Sequence, residues 1–259
     1  MIKTDNNEIS NSFLELIEVL KKLRSPGGCP WDKAQTSQSL IPYLLEETHE
    51  IIEAIEKNDF EALQEELGDL LLHIIFQAEI ARDLNKFTIA DSLQFIINKL
   101  IKRHPNVFSK NKENQNDSWE LNKQKEKKRK NILDGVPKTL SALLRARRIQ
   151  EKAASVKFDW KDIEPVIDKV DEEIEELKEA IQQKNTEMIK EELGDTLFSI
   201  VNLSRFLEVD PESALRMTIS KFEDRFSKVE EKLKERGKSF SNTNFEEMHE
   251  IWKKIKKSS

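Results

Sequence analysis

Glu65-Glu66-Leu67-Gly68-Asp69-Leu70-Leu71 returns 126 residues later as Glu191-Glu192-Leu193-Gly194-Asp195-Thr196-Leu197. Upstream of each, Leu45-Glu46-Glu47-Thr48-His49-Glu50 and Asp171-Glu172-Glu173-Ile174-Glu175-Glu176 keep the same offset. The stretch between the two motifs therefore has equal length in both copies. Two further correspondences follow at shifted offsets. Lys99 and Arg103 match Lys221 and Arg225, and Trp119 and Lys123 match Trp252 and Lys256. A tandem duplication accounts for this pattern better than chance.

Outward from these motifs, apolar residues recur at helical spacing almost throughout. Phe13, Leu16, Ile17 and Leu20 mark a first helix, which Ser25-Pro26-Gly27-Gly28 ends. Residues 29–39 read as an ordered loop. Helices are expected over 39–57, 60–83 and 88–103, with a turn at Asn58-Asp59 and Asp59 as the next N-cap. Residues 105–137 hold Pro105, several asparagines and the charge run 123–130. They predict a linker with one short amphipathic helix around Trp119. The second block predicts helices near 138–154, 164–184, 186–207, 211–236 and 244–257. The expected fold is all-α, with tandem duplicated helical-bundle domains at 1–108 and 137–259 joined by a linker at 109–136.

Composition agrees with long solvated helices: 36% of residues are charged, with only 6 glycines and 7 prolines in 259 residues. Strictly alternating β-branched and aromatic runs are scarce, which argues against a sheet. A hydrophobic fraction of 37% suits thin helical layers that bury more surface by oligomerising. The net charge of -6 argues against nucleic-acid binding, which needs a positive field. One cysteine, Cys29, cannot form a disulfide within the chain, as befits a reducing cytosol. No apolar run approaches the ~18–20 residues that span a bilayer, so no membrane role is expected. The expected location is the cytoplasm.

The chemistry sits on the repeated acidic motifs. Glu47 and Glu50 are three apart and share a helix face, as do Glu66 and Asp69 on the next helix. The short turn between makes the helices antiparallel neighbours, and both pairs lie about two turns from it. Four carboxylates then converge, and each raises the others' pKa. Hard divalent cations relieve that repulsion; Mg²⁺ takes oxygen ligands and bridges carboxylates to phosphates, with Mn²⁺ as a substitute. Glu173, Glu176, Glu192 and Asp195 repeat the arrangement. One such motif alone reads most simply as a solvated helix face. Two facing motifs, at one hairpin length and in both halves, favour metal binding. Gly68 and Gly194, costly within helices, point to a close approach by facing backbone or ligand. Lys221 with Arg225, and Lys99 with Arg103, are spaced to hold phosphate oxygens. Trp252 and Trp119 are placed to stack on a base, with Lys256 and Lys123 one turn on; ordinary surface cations and core tryptophans explain the same spacing.

At this point the sequence resembles the MazG family of nucleoside triphosphate pyrophosphohydrolases, over nearly its whole length. The resemblance rests on Gly28-Cys29-Pro30-Trp31-Asp32-Lys33-x-Gln35-Thr36, on the two acidic motifs of the first half, and on Arg103-His104-Pro105-x-Val107-Phe108. In the second half it rests on Val156-x-Phe158-Asp159-Trp160 and Lys169-Val170-x-Glu172-Glu173-x-x-Glu176. It implies the all-α NTP pyrophosphatase fold, Mg²⁺ dependence, hydrolysis of NTP to NMP and pyrophosphate, control of the nucleotide pool, and a homodimer. Carried onto this chain, the metal ligands and catalytic carboxylates are Glu47, Glu50, Glu66 and Asp69, and Glu173, Glu176, Glu192 and Asp195. The basic and aromatic residues above, with Lys169 and Glu172, become the substrate-binding set. Lys169 lies four residues before Glu173 and faces the same way; its counterpart is Tyr43. The second half is therefore expected to grip triphosphate more strongly.

Rival readings fail on particular residues. A di-iron bundle needs Glu-x-x-His from two helices; Glu46-x-x-His49 supplies one, but Glu175 stands at the second histidine position. A zinc protease needs His-Glu-x-x-His, and Glu53 stands where the second histidine belongs. No Walker A sequence is present. His73, within an apolar run, reads as a buried, hydrogen-bonded core histidine. A non-catalytic helical scaffold remains the alternative from another class.

Overall fold

The computed structural model describes residues 5–108 and 131–258. These residues fall into two compact units, one within Met1–Asn114 and one within Gln115–Ser259. Among the described residues all regular structure is helical. The expected short helix around Trp119 and the charge run 123–130 lie outside them.

The first unit contains α1 (Asn6–Arg24), α2 (Pro30–Ala34), α3 (Ile41–Lys57), α4 (Phe60–Asp83), α5 (Ile89–Arg103) and the single turn α6 (Pro105–Phe108). Asp5 caps α1 by accepting from the Asn7 amide. The segment expected as a loop after Gly28 includes α2. Pro30 stands at its first turn, where a missing N–H costs nothing. The Arg24 guanidinium donates to the Asp32 carbonyl at 2.7 Å and ties this turn to α1. Gly28 is required there, because a Cβ would collide with the carbonyls of Lys22 and Leu23.

The α3–α4 hairpin shows how a short sequence sets the geometry. Asn58 ends α3 in the left-handed conformation at φ 55°, and the Asp59 carboxylate accepts from the Glu61 and Ala62 amides. The core beneath consists of Ile17, Leu20, Leu40, Ile75, Phe76 and Ile80, from α1, the start of α3 and the C-terminal half of α4. Ile89 packs against this core, while Phe95, Ile97 and Leu100 further along α5 are exposed.

The second unit contains α7 (Ala142–Ala154), α8 (Glu164–Gln183), α9 (Thr186–Phe206), α10 (Pro211–Glu235), a 3₁₀ turn (Phe240–Asn242) and α11 (Phe245–Ser258). The α8–α9 hairpin repeats the first one residue for residue. Lys184 takes the left-handed position at φ 54°, and the Asn185 side chain accepts from Glu187 and Met188. The Thr196 hydroxyl stitches the pair by donating to the Glu192 carbonyl at 2.8 Å and the Glu173 carbonyl at 3.3 Å. A separate core of Val229, Leu233, Ile251 and Ile255 joins α10 to α11.

Candidate active site

In each unit the two helices of the hairpin present acidic side chains to one another. In the first, carboxylate oxygens of Glu47, Glu66 and Asp69 lie within 4.8 Å of one another; in the second, those of Glu173, Glu176 and Glu192 do. Glu50 stands against the first group, hydrogen-bonded to Glu47 and repelling Glu66. Asp195 stands against the second, repelling Glu192. Oxygen-only donors at this spacing suit a hard divalent cation.

The electrostatics point the same way. Burial pushes the Glu47 carboxyl up to about 7, with repulsion from Asp69, Glu50 and Glu66 and the hydrogen bond to Glu50 adding to it. Glu66 is raised by burial and then by Glu50, although its hydrogen bond to Glu47 works in the opposite direction. Glu192 is raised by burial and then by Glu176, Glu191, Asp195 and Glu173. Such clusters carry charge that the protein alone leaves partly uncompensated.

The two centres differ in their immediate neighbours. In the second, Lys169 reaches Glu172 at 2.8 Å and Glu173 at 2.7 Å. Those contacts hold the ammonium well above the usual lysine range, the hydrogen bond to Glu172 contributing most. In the first, the same register position is Tyr43, whose ring meets Trp31 edge-on at 5.9 Å. The first centre has His73 instead, one turn beyond Asp69. His73 is buried as expected, but it is not the hydrogen-bonded core residue the sequence predicts. Its Nε2 lies 3.8 Å from Glu47 Oε1, and its Nδ1 has no hydrogen-bond partner. Burial lowers its pKa, against the pull of Asp69. Sequence adjacency hid this because both acidic neighbours arrive through helix periodicity and hairpin pairing.

A cavity of about 520 Å³ opens beside the second centre. Its walls are largely apolar, from Ala153, Phe158, Trp160, Val166 and Phe198, with Gln150 and Asn202 as polar members, and it reaches Lys169, Glu173 and Asp195. Arg205 and Asp159 close one side with a paired ion bridge at 2.6 and 2.9 Å. Lys152, itself buried, donates to the Ile132 carbonyl at 3.0 Å and holds the preceding segment against α7. Most of this cavity was not foreseen from sequence. Phe158, Asp159 and Trp160 were visible as a motif, but Gln150 and Asn202 look like ordinary polar helix residues until α7 and α9 are packed.

Comparison with known proteins decides the family. The MazG nucleotide pyrophosphohydrolase domain matches residues 35–108 and again residues 162–240. The chain belongs to the MazG family. It is 48% identical over 246 residues to the Thermotoga maritima nucleoside triphosphate pyrophosphohydrolase/pyrophosphatase MazG, covering 94% of this chain and 95% of that protein. It is 41% identical over 257 residues to the nucleoside triphosphate pyrophosphohydrolase of Escherichia coli K12, covering 95% of this chain and 98% of that one. An uncharacterised Bacillus subtilis protein is 42% identical over 256 residues, which are 95% of this chain but 52% of that protein. Both MazG matches include the hairpin with its carboxylates.

The remaining expected site residues lie on other elements. Lys221 and Arg225 are on α10, and Arg225 Nε is buried without a hydrogen-bond partner. Trp252 on α11 packs on the Phe222 ring at 5.1 Å and against the α10–α11 core; Lys256, one turn on, is exposed. Lys99 and Arg103 are on α5, where Arg103 is half-buried. Trp119 and Lys123 lie outside the described residues. Gly68 and Gly194 have open space where a Cβ would stand. The expected close approach of a facing backbone is therefore not present within either hairpin. No helix among the described residues is long and apolar enough to cross a membrane.

Proposed function

We propose that this MazG protein is a Mg²⁺-dependent nucleoside triphosphate pyrophosphohydrolase that releases a nucleoside monophosphate and pyrophosphate, with its stronger site in the second unit. The carrying observation is the juxtaposition there of a carboxylate cluster, a lysine and an apolar cavity. That combination supplies places for a cation, a phosphate and a base side by side. The names of the Thermotoga and Escherichia relatives support the reaction.

Glu173, Glu176, Glu192 and Asp195 are the proposed ligands in the second unit, and Glu47, Glu50, Glu66 and Asp69 those in the first. Bound Mg²⁺ would neutralise charge developing on the phosphoryl group and acidify a water molecule. The chain's own residues do the rest. Lys169 offers its ammonium to a phosphate oxygen once Glu173 turns to the cation. One carboxylate of the cluster orients the attacking water and takes its proton. Trp160 and Phe158 offer aromatic rings at the cavity wall for a base to pack against. Lys221, Arg225, Trp252 and Lys256 are proposed to complete the phosphate and base contacts, with Glu172 holding Lys169; Lys99, Arg103, Trp119 and Lys123 are their first-half counterparts.

Homodimer formation is part of the proposal. Exposed apolar residues such as Phe95 (70%) on α5 and Leu67 (51%) on α4 are surface that association would bury. The limits 1–108, 109–136 and 137–259 are retained as proposed domain boundaries.

The deciding experiment is product analysis with a mixture of nucleoside triphosphates, with Mg²⁺, with Mn²⁺ and with chelator. Metal-dependent release of pyrophosphate and nucleoside monophosphate is expected. Release of orthophosphate alone would place cleavage at the wrong bond. No turnover under any condition would favour a helical scaffold instead.

A further inference from the structure

Both hairpins run through their turns with the same spacing, so residues 126 apart hold corresponding positions. Position 202 of α9 then corresponds to position 76 of α4, and Val166 to Leu40. In the second unit Asn202 and Val166 line the 520 Å³ cavity beside Glu173. In the first unit Phe76 and Leu40 occupy the same places as members of the packed core, 3% and 1% exposed, together with Leu20 at 0%. The Arg24 guanidinium lies over the Phe76 ring, 5.1 Å from its centroid, and pairs with Asp83 at 3.2 Å. That contact holds the ring in place from outside.

We infer that the residue at this register position decides which copy can seat a nucleobase: Asn202 keeps the cavity open in the second unit, and Phe76 fills its counterpart in the first. This rests on the pyrophosphohydrolase reading above and adds a specificity residue to it. An aromatic ring at 202 would occupy the space that Asn202 leaves, in a region whose walls already pack on it. Asn202 is itself fixed, since its Oδ1 accepts from Arg205 Nε at 3.1 Å and Nη2 at 2.8 Å. Gln150, 7% exposed, lines the same cavity and donates from Nε2 to the Phe198 carbonyl at 2.9 Å, while its Oε1 has no hydrogen-bond partner. The first unit keeps the carboxylate cluster with Phe76 and Leu40 filling the matching space, and its own smaller cavity of about 250 Å³ lies elsewhere, against His73, Gln77 and Phe87.

The test transplants the first unit's residues into the second. Binding of adenosine monophosphate and cytidine monophosphate is measured by calorimetry in the presence of Mg²⁺, on the full chain. Asn202→Phe is expected to weaken both by at least about tenfold, the cost of losing a well-filled apolar pocket. Val166→Leu, which leaves the Asn202–Arg205 contact intact, is expected to weaken the purine more than the pyrimidine. Asn202→Ala, which enlarges the space, should change base binding much less than Asn202→Phe. Mg²⁺ affinity is followed alongside and should stay near wild type, while the thermal midpoint shows whether each variant is folded at the assay temperature. If Asn202→Phe fails to fold, Val166→Leu decides. Nucleotide affinity within twofold of wild type in a folded Asn202→Phe or Val166→Leu protein would overturn the inference. Because binding is read without turnover, a wild-type protein that binds nucleotide but releases no pyrophosphate would sink the proposed reaction and leave this assignment standing.

Discussion

The first and second hairpins match the same family domain and share their carboxylates, yet they differ at several positions around them. Among them, Tyr43 holds the register position of Lys169, Phe76 that of Asn202, and His73 that of Ser199. Two of these differences add to the buried part of the first unit, where Phe76 joins Leu20 and Leu40 and His73 is buried beside Glu47; Tyr43 instead meets Trp31 at the surface. The second unit instead keeps a cation against its cluster and an open cavity beside it. The lesson is that the carboxylate cluster and the apolar cavity beside it are separable. The carboxylates depend on positions facing across the hairpin, whereas the cavity depends on which side chains α7 and α9 leave between them.

The largest expected effect separates the units by catalysis. Glu173→Gln should lower NTP hydrolysis by about 100-fold or more, as removal of a transition-state charge partner does. Glu47→Gln should cost less than about fivefold; equal losses, or the reverse order, in steady-state pyrophosphate release would break the comparison. Next comes the lysine. Lys169→Ala should raise KM for NTP by about tenfold, the loss of one charge-assisted hydrogen bond, while Tyr43→Ala leaves it unchanged. A Tyr43 effect of similar size would mean that the first unit also handles the substrate.

The metal affinity of the first unit should depend on pH near neutrality. With the Glu47 carboxyl at about 7, the deprotonated form that a cation needs dominates above that value and falls away below it. Mg²⁺ affinity in the part of the titration lost in the Glu47→Gln protein should therefore drop about tenfold from pH 8 to pH 6. A flat profile across that range would contradict the raised pKa. The smallest effect is on stability. The folded value for Glu47 lies above its unfolded value, so the neutral form is the one the fold favours. The stability this confers is fully present below about pH 4.5 and is lost as pH rises through 7. In metal-free protein at pH 8, Glu47→Gln should then raise the thermal midpoint of the first unit by about 4–6 °C, from a gain on the order of 1 kcal/mol. The gain should vanish near pH 4, and calorimetry at the two pH values checks it.

Much of the architecture was legible because helix signals are local. The turn at Asn58-Asp59 combines a residue that tolerates the left-handed region with a side chain that caps, and α4 spans Phe60–Asp83 as the apolar spacing predicts. The segment after Gly28 was harder. Its short helix α2 depends on Arg24 reaching the Asp32 carbonyl, a contact between residues eight apart that no periodicity reveals. The helices α10 and α11 were placed correctly along the chain, yet Trp252 spends its ring on Phe222 and the α10–α11 core.

By itself, the sequence determined that this protein is built from helices, that it carries the acidic hairpin twice, and that each hairpin turns its glutamates inward. Those properties follow from spacings of three and four residues and from equal loop lengths, which the chain states directly. Only the tertiary structure decided that His73 lies beside Glu47, that Tyr43 is drawn to Trp31, and that one unit holds a cavity where the other holds Phe76. The physical reason is that burial and void are properties of several helices packed together. The side chains that fill or spare a space come from α1, α3 and α4 in one unit and from α7, α8 and α9 in the other, far apart along the chain.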